Sequence, residues 1–207
     1  MPAAPKLLVF LHVAVKQRAF QGELQAALGG IDVTAVGRIG DFDRALGEGP
    51  DAVLSLPVVL GARQLSPALH GRKQGSNEEA YALVGVDSTP DLPKIQTVGA
   101  LDLLGREGTE AFVERLLGAK RKVERVTKVE DLLPLLQMQR VDAILLASRF
   151  VVELRKASRL NLVQRDVAAK VELAAAATTG SGGAQIFSAL SHLPVALSNA
   201  MGVDEWR

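Results

Sequence analysis

One supersecondary pattern occurs twice in this chain, and the repeat limits the folds open to it. Lys94 to Gly118 (KIQTVGALDLLGREGTEAFVERLLG) reads as strand, glycine-punctuated loop, helix. Ile95, Thr97, Val98 and Ala100 suit a strand. Gly105 to Thr109 is expected to form the loop. Thr109 is placed as the helix N-cap, its hydroxyl meeting an orphan amide of the first turn. Phe112 with Leu116, and Val113 with Leu117, fall at helical i, i+4 spacing, and Gly118 is placed as the stop. Lys6 to Gly29 (KLLVFLHVAVKQRAFQGELQAALG) gives the same order, with Leu7 to Ala14 as a strand, Val15 to Arg18 as the turn and Phe20 to Leu28 as the helix.

The elements that follow also correspond. Ile31 to Val36 and Lys122 to Val126 read as short strands, and Asp41 to Leu46 and Val129 to Met138 as helices. Pro50-Asp51-Ala52-Val53-Leu54 is matched by Val141-Asp142-Ala143-Ile144-Leu145. Strands alternating with helices predict parallel pairing. The expected fold is α/β: two βαβαβ lobes with mixed, mainly parallel sheets and a ligand cleft between them. Lobe 1 is expected over residues 1–87 plus 166–207, and lobe 2 over 88–165 as one segment. The turn-rich DSTPDLP (87–93) marks one crossing, and the apolar VELAAAA (171–177) marks the return. Asp51 and Asp142 recur at equivalent points between helix and strand. Turn formation is expected of them rather than acid–base chemistry.

Pro134 leaves two starts open for its helix: kinked in the interior if it begins at Thr127, tolerated in the first turn if near Asp131. Two polar or glycine-rich stretches, Gly61 to Asn77 and Thr178 to Gly183, are expected to be the least ordered internal segments. TTGSGG in the latter is no P-loop, because no Lys-Ser/Thr pair follows its glycines.

Composition excludes several functions. Of the 207 residues 48% are hydrophobic but only 4% aromatic, so Leu, Val, Ile and Ala must fill the core. The formal net charge of +1, without a basic stripe or aromatic platform, speaks against a nucleic-acid partner. Cysteine is absent, which removes disulfides and thiolate metal sites. His12, His70 and His192 lie far apart and form no metal spacing. Ser191-His192 lacks the glycines of a nucleophile elbow. No enzyme, cofactor or metal site is expected. Leu7 to Val15 is too short to span a bilayer, so direct membrane insertion is not expected either.

The chain resembles the substrate-binding proteins of ABC transporters with the type 2 periplasmic-binding fold, most of all their phosphate, phosphite and phosphonate branch. Thr97-Val98-Gly99-Ala100 followed by Gly105-Arg106-Glu107-Gly108-Thr109 stands where that family has a small-residue, serine-rich loop before a helix. Val129-Glu130-Asp131-Leu132-Leu133 with Val141-Asp142-Ala143 is similar to its helix and valine-aspartate-alanine strand, and Leu193-Pro194 to Trp206 to its C-terminal helical end. The chain is shorter than typical members between Leu60 and Tyr81, and Gly105 and Glu107 replace serines.

The resemblance implies a non-enzymatic protein that captures a small anionic solute, phosphate- or phosphonate-like, for an ABC-type permease. It implies a periplasmic location with the leader absent from this chain, the cytoplasm being the alternative. A second reading is an interaction or regulatory module in which transport has been lost, with another protein as partner. A helix N-terminus attracts an anion. The expected contacts are therefore Gly105, Arg106, Gly108 and Thr109 in the second repeat. Lys16, Gln17 and Arg18 supply them in the first, and Ser55 and Ser148 lie at matching strand ends.

Overall fold

The computed structural model describes residues 3–207, which divide into two compact units. Unit 1 comprises the described residues up to Glu78 together with Glu172–Arg207, and unit 2 comprises Glu79–Val171. In chain order the first stretch of unit 1 holds β1 (Lys6–Phe10), α1 (Gln17–Ala27), β2 (Asp32–Ala35), α2 (Ile39–Gly47), β3 (Ala52–Ser55), α3 (Pro57–Gly61) and β4 (Leu69–Arg72). Unit 2 follows with β5 (Glu78–Val86), β6 (Thr97–Leu101), α4 (Gly105–Leu117), β7 (Lys122–Val126), α5 (Leu132–Gln137), β8 (Ala143–Ala147), α6 (Arg149–Ala157) and β9 (Leu162–Glu172). The chain then completes unit 1 with β10 (Ala175–Thr178), α7 (Gly183–Leu190), α8 (Val195–Ala200) and β11 (Glu205–Trp206).

The repeat is visible in the sheets. Unit 1 has strand order β11-β4-β10-β3-β1-β2 and unit 2 has β7-β6-β8-β5-β9. In each, the first strand of the repeat lies between the second and the third and is parallel to both. In each, an antiparallel strand then flanks the third: β10 on β3, β5 on β8. The apolar runs follow from this. Leu7 to Phe10 of β1 and all five residues of β8 are buried, as strands covered on both faces must be. Phe10 stacks on Phe42 of α2 at 5.2 Å, and Tyr81 of β5 meets Phe112 of α4 edge-on at 5.9 Å. Gly99 of β6 is constrained by packing, because a Cβ there would lie 3.0 Å from both Ile144 and Leu135.

Several elements depart from the sequence expectation. The expected crossing drew on DSTPDLP, but β5 pairs with β8 and neighbours β9, so the whole of residues 79–86 belongs to unit 2. Strand β9 likewise runs to Glu172, past the expected lobe boundary at residue 165. Strand β1 stops at Phe10, and helix α1 begins at Gln17, earlier than expected. Gly61 to Asn77 is not wholly irregular. Its β4 lies inside the unit 1 sheet, with Gly71 N–H donating to Ala174 O at 2.8 Å and Arg207 N–H to His70 O at 2.9 Å. A Cβ at Gly71 would come within 2.4 Å of Val203, so only glycine fits. Pro134 falls in the first turn of α5, the tolerated position. Gly118, at φ +70, closes α4 with its N–H on Glu114 O, as its sequence position suggests.

Asp51 and Asp142 serve the same purpose in the two repeats. Asp51 sits just before β3 and accepts the Lys6 N–H, at the start of β1, on Oδ2 at 2.9 Å. Asp142 sits just before β8 and accepts the Thr97 N–H, at the start of β6, at 2.8 Å. In both, the aspartate's own N–H returns to the partner residue's carbonyl: Asp51 to Lys6 and Asp142 to Thr97. Asp51 does more. Its Oδ1 accepts Gly182 N–H and its carbonyl accepts Thr179 and Gly180 N–H, while Thr179 Oγ1 donates to Pro50 O. The loop Thr178 to Gly183, expected to be loose, is therefore tied down.

The bonds from Lys6 and then Gly182 hold the Asp51 carboxyl below its ordinary value of 3.8. A depressed native pKa contributes stability above the unfolded value and loses it as pH falls through the native one. Asp51→Asn should therefore lower stability near neutral pH, and the gap to wild type should close below about pH 4. Urea melts from pH 3 to pH 7 would show it; a pH-independent gap would mean that the charge contributes nothing. Amide exchange tests the loops separately. His70, Gly71 and Gly182 should exchange much more slowly than Gly75, in the exposed turn after β4.

Candidate functional site

In open α/β sheets, ligands gather beyond the carboxyl ends of the parallel strands. In unit 2 that edge is formed by the ends of β7, β6 and β8. The first residues of antiparallel β5 lie there too, since Tyr81 pairs with Ala147. Ser148 follows β8 directly, its N–H donating to Ala80 O at 2.9 Å. Arg149 comes next and starts α6. Its guanidinium pairs with Glu79 and lies over the Phe150 ring at 4.4 Å. Both partners are mostly buried, the Glu79 side chain 11% exposed and the Arg149 side chain 18%.

Three buried polar atoms here have no hydrogen-bond partner among the described residues: Glu79 Oε1, Ser148 Oγ and Arg149 Nε. Buried polar groups are normally paired, since leaving one unpaired costs about 1–3 kcal/mol. An acceptor, a hydroxyl and a cationic donor are thus left open where β5 meets β8, a set of both signs. Tyr81 lies below it. Burial first, and the Glu79 charge second, push its phenol well above the usual range, with Arg149 opposing, so it stays neutral.

A second network sits across β6. The Thr109 hydroxyl is fully buried, accepts Leu104 N–H at 3.1 Å and donates to Asp102 Oδ1 at 3.1 Å. Asp102 Oδ2 in turn receives Arg125 NH1 at 2.5 Å. This corrects the expected loop. Helix α4 begins at Gly105, so Gly105 to Thr109 are its opening residues, and Leu104 rather than Thr109 occupies the N-cap. Gly105 is glycine because its φ is +77. Gly108 is glycine because a Cβ would lie 2.6 Å from Leu104 Cβ. Thr109 is committed to Asp102 and Leu104 and has no free hydroxyl for a solute.

Arg106 is exposed and lines a groove of about 900 Å³ beside β7. Glu110, Lys120, Lys122 and Arg125 share that lining. Of the residues singled out in unit 2, Ser148 belongs to the unpaired cluster, while Gly105, Gly108 and Thr109 build the α4 start.

At the corresponding edge of unit 1, Ser55 and Gln17 are bonded internally, while Arg72 Nε at the end of β4 and Trp206 Nε1 have no partner among the described residues. Ser55 is fully buried, and its hydroxyl donates to Phe10 O at 2.7 Å, holding β3 to β1 instead of facing a solute. Gln17 Nε2 donates to Val36 O at 3.3 Å. Lys16 is the N-cap residue of α1 and is exposed, as is Arg18. Sequence reasoning missed Glu79 and Arg149. They lie 70 residues apart, and their pairing depends on the antiparallel β5–β8 register. The one sequence signal was a Ser-Arg pair directly after a buried strand.

No protein-family model matches the chain, and no curated protein is a detectable relative. Solved structures do match. An arginine-bound mutant of ArgBP from T. maritima aligns over 95% of this chain and 94% of its own at TM-score 0.58 and 16% identity. The GluR0 ligand-binding core complexed with L-glutamate aligns over 96% of both chains at 0.61 and 14%. Tv2483 bound to L-arginine aligns over 97% and 92% at 0.64 and 12%. At these identities the likeness shows the fold: α/β units with mixed sheets, as in type 2 periplasmic-binding proteins. The named structures carry amino acids, so the expected placement in the phosphate and phosphonate branch finds no support in them. No helix among the described residues is long and apolar enough to cross a membrane.

The buried pair gives a direct test of the cluster. Arg149→Met leaves the Glu79 carboxylate buried and alone, which should destabilise by about 3 kcal/mol. Adding Glu79→Gln should recover most of that loss. A denaturant double-mutant cycle measures the coupling; additive losses would mean that the pair is solvated.

Proposed function

We propose that this chain is a non-enzymatic solute-binding protein that takes a small amino-acid-like solute at the carboxyl edge of unit 2. The observation that carries this is the set of three unpartnered buried atoms, Glu79 Oε1, Ser148 Oγ and Arg149 Nε. An α-amino acid brings a carboxylate for Arg149 and an ammonium for Glu79, and the Ser148 hydroxyl can donate or accept. The arginine and glutamate in the named structures support a solute of this class. A phosphate-like dianion fits less well, because its charge would face the Glu79 carboxylate.

Delivery to an ABC-type permease is the role implied by the family resemblance. A sensor or interaction role is the second reading. The cationic groove beside β7 favours it, as a surface suited to a partner.

Titration calorimetry of the intact chain with L-arginine, L-glutamate and inorganic phosphate tests the proposal. One of the amino acids should bind saturably, and phosphate should not. Ser148→Ala removes one neutral hydrogen bond of about 0.5–1.5 kcal/mol, so the Kd should rise about 2- to 12-fold. The melting temperature of the free protein should stay within a few degrees, because the hydroxyl has no partner to lose. No saturable amino acid, or one whose affinity is unchanged by S148A, would remove the site from this edge.

A further inference from the structure

We propose that the groove beside β7 docks an acidic protein segment, which adds to the unit 2 sheet as an extended strand. Strand β7 ends the sheet order, so it pairs with β6 on one side only. Lys122, Val123, Glu124 and Arg125 all line the groove, although side chains alternate between faces along a strand. An opening that runs along the strand's edge meets consecutive residues in this way. The groove therefore exposes the unpaired backbone donors and acceptors of β7. Such an edge is a template for another strand, which is how peptide-binding sheets recruit extended segments.

The walls select the charge of the occupant. Arg106 and Glu110 stand one turn apart on α4 and form one side. Five cations line the groove, Arg106, Lys120, Arg121, Lys122 and Arg125, against two carboxylates, Glu110 and Glu124. Three of the five are held in place. Arg121 donates to Leu92 O at 3.0 Å, Arg125 binds Asp102, and Lys122 lies 3.5 Å from Glu124. Arg106 and Lys120 are exposed and enter no ion pair among the described residues. An acidic strand would supply their counter-charges. A second copy of β7 would instead set the same cations against each other, so self-pairing is disfavoured. A nucleic acid would find no aromatic stacking platform among the lining residues.

The probe is a capped, fluorescent heptapeptide of alternating glutamate and valine, titrated into the intact chain by anisotropy. It should bind at low salt and weaken at least tenfold at high salt. The same peptide with alternate amides N-methylated should bind at least tenfold more weakly, because it cannot complete the ladder. Arg106→Glu and Lys120→Glu should each weaken binding several-fold with an unchanged circular dichroism spectrum. The proposal is overturned by any of four results: no binding, equal binding of the same peptide with lysine in place of glutamate, indifference to N-methylation, or indifference to both charge reversals. Tighter binding of a short DNA duplex than of the peptide also overturns it. The proposal is independent of the solute site, because none of these readouts involves Ser148 or an amino acid.

Discussion

A parallel strand buried on both faces has to begin somewhere, and its first amides need acceptors before the ladder starts. In both repeats an aspartate at the mouth of the third strand meets that need at the first strand. Asp51 takes Lys6 N–H, and Asp142 takes both Gln96 and Thr97 N–H. Apolar burial supplies most of the stability. Each fully buried Phe or Leu contributes about 1.5–3 kcal/mol, and Phe10, Phe20, Phe42, Leu7 and Leu24 are all under 2% exposed. Burial alone does not choose a register, however. A one-residue slip exchanges the faces of a strand, and strands apolar on both faces resist it least. The aspartates fix what the core leaves open, which accounts for their presence in both repeats.

The amino edges of the two units are therefore alike, while the carboxyl edges differ. In unit 1 Ser55 bonds Phe10 and Gln17 bonds Val36, so these two are taken up within the chain. In unit 2 the residue after β8 is Ser148, without a partner at its hydroxyl, beside a buried ion pair with one free atom on each member. Burying Glu79 and Arg149 costs desolvation that their attraction barely offsets. Replacing them with apolar side chains would suit stability as well or better, so the pair is explained more readily by recognition than by folding.

Much of the fold was legible in the sequence because the repeat is local. Strand–turn–helix order, the Asp-Ala-Val and Asp-Ala-Ile strand starts, and the Gly118 stop are all short-range signals. The rest depends on contacts far apart in the chain. Strand β4 looked like a polar loop because it has four residues and a glycine, yet Gly71 is forced by Val203 and the Ala174 carbonyl, over 100 residues away. TTGSGG looked loose because its glycines suggest freedom. In fact a Cβ would clash with Asp51 at Gly180, with Pro5 and Asp51 at Gly182, and with Thr178 at Gly183. Ser148 was reached by analogy with Ser55, but which of the two was free depended on Phe10 and on β5. For Glu79 and Arg149 the Ser-Arg pair after β8 was the one signal, and only the β5–β8 register joined them.

The Gly105–Thr109 stretch shows how a correct motif can suggest the wrong chemistry. Glycines ahead of a helix suggested an anion cradle, with Glu107 standing where the family has a serine. In the structure these residues are the helix's first turns. An exposed acid there is stabilised by the helix dipole and needs no further explanation. The buried Thr109 hydroxyl joins Leu104 N–H to Asp102, which is already held by Arg125. Asp102 thus supplies the negative charge that an incoming anion would have brought, and does so through a residue of the same chain. An external anion near Thr109 would have to displace a charge-assisted Asp102–Arg125 contact, whereas at Ser148 no hydrogen bond of the hydroxyl is lost. That difference is why we propose the β5–β8 side of the edge for a solute rather than the start of α4. It leaves Arg106, turned into the β7 groove, to a different partner.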